Sequence, residues 1–229
     1  MKSVDLRTIF ERWGLGVRRQ GERGTCSVFT LADAGAFALA ARKGGDGTPL
    51  SVEFLNWAAN QVRGRAGDGG CFDELWRGYE ARGICTERAM PYEATFDGQR
   101  CPSAAVQEEA ETLRAAGLQL HWIKPWDPTC GVSDAQLAEI QRTLDGQVPV
   151  CGGFLWPIET PKCPGGILEM PPREGMRDGH SVLLAGYSDD PAQPGGGLLV
   201  YRDTSKGYPG AAMTYAYALA YMNDAAWVG

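Results

Sequence analysis

The chain has little with which to bind a metal. It carries two histidines in 229 residues, and its seven cysteines include no C-x-x-C pair. No zinc site and no cofactor are expected on that basis, and an odd cysteine count does not suit a complete disulfide framework. Positive charge is not in excess either: the net charge is −6. That removes the basic footprint a nucleic-acid partner needs and tilts weakly toward cationic substrates or a basic partner surface. No apolar run approaches the length of a membrane span, so no membrane partner is expected. The start, Met1-Lys2-Ser3-Val4-Asp5-Leu6, lacks the apolar core of a signal peptide, and the expectation is a cytoplasmic chain, the other reading being a chain whose leader is missing from this sequence. No internal repeat is evident.

What is present is ordinary globular material, 44% hydrophobic and 22% charged, with length for one domain or two small lobes around a real core. Within it, one stretch stands out: Gln20-Gly21-Glu22-Arg23-Gly24-Thr25-Cys26-Ser27-Val28-Phe29. From Ser27 to Ala41 the residues read as a helix, with Phe29, Ala32, Ala36, Phe37 and Ala40 at i, i+3, i+4 spacing. Only Thr30 and Asp33 interrupt its first turns, so burial nearly all round is expected. Gly24 and Thr25 suit a helix start, and Arg42, Lys43 and Gly44-Gly45 suit its end. Cys26 then lies at a helix N-terminus, where free N–H groups and the dipole favour the thiolate, the attacking species. Gln20 is placed to donate a side-chain N–H to an oxyanion, beside the backbone N–H of Cys26. Read alone, Cys26 would pass as a small buried hydrophobe, as most free cysteines are.

The whole decapeptide resembles the nucleophile segment of papain-like cysteine peptidases, Q-G-x-C-G-S-C-W-A-F. Gln20, Gly21, Gly24, Cys26 and Phe29 keep that pattern; Arg23, Thr25, Ser27 and Val28 depart from it. A second motif, Asp178-Gly179-His180-Ser181-Val182-Leu183-Leu184-Ala185-Gly186-Tyr187, resembles the family's D-H-A-V-x-x-V-G-Y. A histidine at the head of such a strand can look across a cleft and accept a thiol proton. The other histidine, His121, has no such context and reads as structural or exposed. The third motif departs further: in Tyr201-Arg202-Asp203-Thr204-Ser205, Asp203 stands where the family's N-S-W-G has asparagine and Ser205 where it has tryptophan. A carboxylate can still orient an imidazole and stabilises imidazolium more than an amide does. Loss of the tryptophan is expected to leave that hydrogen bond more open to water. The other reading of Asp203 is a solvated turn residue.

Other segments follow the family in order. Val4-Asp5-Leu6-Arg7 resembles its mature start, Leu50 to Leu55 its L-S-E-Q-E-L, Met90-Pro91-Tyr92-Glu93 its Y-P-Y-E, and Asp68-Gly69-Gly70 its N-G-G turn. That turn lines one wall of the family's cleft, where glycine bonds substrate backbone; on composition alone it is a glycine-rich loop. By the same resemblance Cys71, Phe72, Asp178 and Ser181, with Gly179 beside them, approach the second-residue pocket, and Asp178 suggests a basic or polar substrate side chain. The family usually bridges a cysteine near position 23 to one just before the N-G-G turn. Here Arg23 and Gly67 stand there, so the resemblance implies no such bridge, in keeping with a reducing compartment. Cys101 falls where another half-cystine often lies; its usual partner would be near Ala58, and Cys71 is left open as a substitute.

Helices are expected from Ser51 to about Val62, from Phe72 to Arg82 closed by Gly83, over 104–116, and from Ser133-Asp134 to Leu144. Strands are expected at Leu118–Ile123, Val148–Phe154, His180–Tyr187, Gly197–Arg202 and Met213–Tyr217, with a long loop over 156–178. The expectation is an α+β, papain-like two-lobe fold forming a single catalytic unit over 1–229. Its helical lobe would cover about 12–115 and its antiparallel β-barrel lobe about 116–229, with a cleft between. The resemblance implies a peptidase in which Cys26 attacks, His180 moves the proton, Asp203 orients His180 and Gln20 helps bind the oxyanion. Its substrate would be a peptide or protein, with a protein inhibitor or regulator as a further partner of a monomeric chain. Three other readings stay open: a silent binding protein that kept the cleft, a thiol acyltransferase or transpeptidase on the same site, and an effector or toxin domain acting inside another cell.

Overall fold

The computed structural model describes residues 2–127, 129, 131–157, 166–168, 170, 173–205 and 208–229. β1 (Ser3–Asp5) and α1 (Arg7–Arg12) open the chain, followed by α2 (Cys26–Arg42), α3 (Val52–Arg63), α4 (Phe72–Arg82) and α5 (Ala104–Arg114). Then come β2 (Leu120–Lys124), α6 (Asp134–Asp145), β3 (Val150–Pro157), β4 (Ile167–Leu168), β5 (Met176–Asp189), β6 (Gly197–Asp203), β7 (Tyr208–Thr214), α7 (Tyr215–Tyr221) and β8 (Met222–Val228).

The helix starts are set by local chemistry. Ser51 accepts the N–H of Phe54 at 2.9 Å and Gly64 closes α3 in the left-handed conformation. Ser133 and Gln136 form a reciprocal capping box on α6. Every residue of α2 from Ser27 to Ala40 is buried, as a helix with so few polar side chains requires. Thr25 sits at the N-cap of α2 without capping it; its hydroxyl is bonded instead to the Tyr92 hydroxyl at 2.8 Å.

The strands form one eight-stranded sheet in the order β2-β8-β3-β5-β6-β7-β4, with β1 paired to β5. All pairs are antiparallel except β4 with β7. α2 packs on β3 and β5, so the helix that begins at Cys26 lies against the strand that carries His180. Pairing of Leu183 with Arg202 brings the end of β6, Asp203, beside His180, which lies inside β5 rather than at its head because the strand already starts at Met176.

Two expectations change. Met213–Tyr217 is not one strand: β7 ends at Thr214, whose hydroxyl accepts the N–H of Tyr217 at 3.1 Å and starts α7. The run Tyr215-Ala216-Tyr217-Ala218 alternates as a strand would, but Tyr217, Ala218 and Tyr221 share the buried face of a helical turn, and the cap decides. β8 then enters the middle of the sheet, between β2 and β3. Its Met222-Asn223-Asp224-Ala225-Ala226 run has weak strand propensity and is held by pairing on both sides. Part of the expected 156–178 loop lies outside the described residues; its end is already β5.

α3 and α4 meet at Gly78, where an added Cβ would lie 2.6 Å from the Ala59 nitrogen and 2.8 Å from its Cα. Backbone cannot yield as a side chain does. Gly78→Ala is expected to lower stability by about 1–3 kcal/mol, read as a fall in the urea midpoint at constant slope.

Candidate active site

Cys26 opens α2 and keeps part of its surface accessible. Burial opposes its ionisation, but the hydrogen bond and charge of His180, with the N–H groups of Ser181 and Ser27, outweigh burial and hold the thiol below its ordinary value. The His180 ring lies between this sulfur and Asp203: Nε2 is 3.0 Å from Asp203 Oδ1, which leaves Nδ1 for the thiol. Burial disfavours the imidazolium, yet Asp203 and Cys26 together push His180 up to about 9. Asp203 is itself resisted by burial but held below the usual carboxylate range by His180 and by Ser205. The Ser205 N–H and hydroxyl donate to the same Oδ1 at 2.9 and 2.7 Å, so the residue in the tryptophan's place supports the carboxylate.

The expected opening of this hydrogen bond to water is not found. His180 and Asp203 are each 5% exposed. Trp156 of β3 supplies the cover: its ring stands edge-on to His180 at 4.6 Å and touches Tyr201 and Tyr217 in turn. The aromatic comes from another strand, and nothing in the local motif signals it.

Gln20 is buried and held at both ends. Its Nε2 donates to the Arg23 carbonyl at 2.9 Å, and its Oε1 accepts from the Thr204 hydroxyl at 2.9 Å; the Gln20 backbone N–H donates to the Thr204 carbonyl at 3.1 Å. Thr204 follows Asp203 in the chain, so one dipeptide orients both the imidazole and the amide. The amide keeps a second N–H for an oxyanion.

Of the sequence-predicted binding residues, Gly70, Cys71, Phe72, Gly179 and Ser181 meet His180 around one cavity of about 110 Å³. Gly69 stands one residue behind, and Asp68 turns its carboxylate onto Arg23. The Asp178 side chain lies outside the described residues. Sequence reasoning missed five members of the cavity, Trp126, Gly153, Phe154, Asn223 and Asp224. Trp126, 53% exposed, forms its rim, and Asp224 of β8 lies in its wall. Asp224 is 4% exposed; burial pushes its carboxyl up to about 6 against the pull of Lys124 and the Gly153 N–H. A larger cavity of about 310 Å³ opens beside α3, between Trp57 and Phe96; none of the sequence-predicted site residues lines it. Cys71 and Cys101 are both free thiols, so the pairing left open for them does not form. Cys130 and Cys163 lie outside the described residues. Among the described residues no cluster of potential ligands could hold a metal, and no helix is long and apolar enough to cross a membrane.

This fold, helices α2 to α5 followed by a mainly antiparallel sheet, is the mixed α+β, papain-like fold of cysteine proteases. Xylellain, a cysteine protease from Xylella fastidiosa, superposes with a TM-score of 0.74 at 19% identity, covering 99% of this chain and 85% of that one. Digestive procathepsin L 3 of the Tenebrio molitor larval midgut superposes with a TM-score of 0.68 at 22% identity, covering 100% of this chain and 70% of that one. No protein-family model matches the sequence, and no curated protein matches it.

The paired charges give a pH signature. Asp203→Asn keeps a hydrogen-bond acceptor and removes the anion, so the imidazole falls from about 9 toward its ordinary range and the thiol, losing its cation, rises. Alkylation of Cys26 by iodoacetamide at about pH 7 is expected to slow roughly tenfold for each unit the thiol rises. The pH profile of labelling, measured against the wild type, checks this.

Proposed function

We propose that this chain is a thiol peptidase that cleaves peptide bonds through a catalytic triad of Cys26, His180 and Asp203 and a thioester intermediate, as in the C1 peptidases it resembles. The observation that carries the reading is the buried His180 ring held between the Cys26 sulfur and the Asp203 carboxylate. The thiolate attacks the carbonyl carbon, and the oxyanion that forms is met by the Gln20 amide and the N–H of Cys26 at the start of α2. His180 gives its proton to the leaving amine as the carbon–nitrogen bond breaks. Water, deprotonated by His180, then releases the acyl group. Metal chemistry has no place in these steps. If an amine takes the place of water the product is a new amide, and the same site is a transpeptidase.

Asp224 gives the reading a substrate class. A carboxylate this buried, with no ion pair among the described residues, gains most from a cation that enters the cavity beside His180. A peptide with Arg or Lys at the residue second from the scissile bond supplies one, and Trp126 and Phe72 can cover its methylenes.

Two outcomes are expected. A peptide-library digest by the wild type yields cleavage that Cys26→Ala abolishes, while Gln20→Ala lowers kcat by about 10²-fold; a wild type that cleaves nothing, with Cys26 alkylated no faster than an ordinary exposed cysteine, sinks the reading. Asp224→Asn lowers kcat/KM for basic peptides by about 30-fold, the equivalent of roughly 2 kcal/mol, and spares those with an apolar side chain. The wild-type preference for basic peptides fades as pH falls through about 6, where Asp224 takes up its proton.

A further inference from the structure

We infer that Arg23 is a positioning residue whose guanidinium forms an ionic clasp, holding the glycine turn 68–70 against the nucleophile loop so that the cleft wall keeps its shape without a disulfide. The inference rests on the peptidase reading only for its kinetic consequence.

Arg23 is 6% exposed, and its five N–H groups all have acceptors. Nη1 and Nη2 reach the two oxygens of Glu53 at 2.7 and 3.2 Å, Nε and Nη2 reach those of Asp68 at 3.1 and 2.7 Å, and Nη1 also donates to the Glu93 carbonyl at 2.8 Å. Tyr92 and Phe96 flank the plane at 4.6 and 5.4 Å. Burial opposes the charge, but Asp68 and Glu53 more than offset it and hold the guanidinium above its ordinary value. One side chain thus ties the loop before Cys26 to the base of α3, through Glu53, and to the turn after α3, through Asp68.

The turn depends on that tie. Asn56 accepts the Gly69 N–H at 3.1 Å and Arg63 donates to the Gly69 carbonyl at 2.7 Å, which hold the turn to α3. Toward the nucleophile loop the approach is close: a Cβ on Gly69 would lie 2.4 Å from the Gly24 carbonyl oxygen. Arg23 supplies the attraction across this seam. Its own carbonyl also accepts the Gln20 amide, so displacing its backbone would move the oxyanion donor as well. By the resemblance, Arg23 and Gly67, next to Asp68, stand where a disulfide is usual. An ion pair here is indifferent to thiol reductants.

Removing Arg23 alone would leave Glu53, 4% exposed, with the Glu93 N–H at 3.3 Å and, as its one remaining cation among the described residues, Arg100 at 3.9 Å. The test therefore uses Asp68→Ala, the pair Arg23→Met with Glu53→Gln, and a rescue variant combining Arg23→Cys, Glu53→Gln and Gly67→Cys; a Cβ at Gly67 meets nothing within 4 Å. Two readouts are taken with and without dithiothreitol: hydrogen exchange at the Gly69 amide, and KM and kcat on a basic peptide. In the wild type neither exchange nor KM responds to dithiothreitol. In Asp68→Ala and the Arg23 pair, Gly69 exchange rises by about tenfold or more and KM rises about tenfold, with kcat changed less. The oxidised rescue variant returns both to wild-type values, and dithiothreitol undoes the return. Unchanged Gly69 exchange and KM in a folded Asp68→Ala protein, or an oxidised rescue variant with exchange still fast, would overturn the inference. Exchange that follows the expected pattern in a protein that cleaves no peptide leaves the clasp standing and removes the peptidase reading alone.

Discussion

A buried imidazole set between a thiol and a carboxylate, each favouring the charged form of the next, is the constraint on which the rest of this structure turns. Moving an isolated ion out of water costs several kcal/mol even after relaxation. His180 is almost sealed from solvent, so its proton persists to about 9 only because Asp203 and Cys26 stand on either side of it. Each partner depends on the others. Asp203 is held below the usual carboxylate range by His180 and Ser205, and Cys26 is held below its ordinary value, against burial, by His180. Exclusion of water by Trp156, Tyr201 and Tyr217 raises the penalty for an unpaired charge and the strength of each pair alike.

The same reasoning explains how the chain departs from the pattern it resembles without losing the geometry. The tryptophan absent after Asp203 is replaced by one three strands away in the order of the chain, on β3 rather than beside β6. On the proposed reading, Asp203 Oδ1 fills at 3.0 Å from His180 the acceptor place that the resemblance gives to an amide, with one more charge. Thr204 links this carboxylate's segment to Gln20, so the thiol–imidazole pair and the Gln20 amide share one support. On the proposed peptidase reading, small errors in either would misplace the reacting atoms, because effective molarity is lost quickly with distance.

The helical half was legible because its signals are local. Ser51, Ser133 with Gln136, Gly64 and Gly83 act within a turn of where they stand, and the apolar density of α2 already implied burial on every side. Cys26, His180 and Asp203 stood out as candidates because each sits in a local motif, tied to a helix start, an apolar strand and a strand end, although the strand of His180 starts at Met176 and not at the histidine. The strands near the C-terminus were not. Met213–Tyr217 fits both periods, and one hydroxyl cap settles it. β8 is a strand because β2 and β3 hold it, and nothing in Met222 to Val228 records that.

By itself, then, the sequence determined the elements whose chemistry is local: the helix that presents the sulfur, the strand that carries the imidazole, and the glycine turn. Tertiary structure alone decided what surrounds them. Trp156 over His180, Asp224 in the cavity wall and Arg23 between Glu53 and Asp68 are contacts between residues far apart in the chain. Their energies come from dryness and from pairing at a distance, and neither exists until sheet and helices have closed on one another.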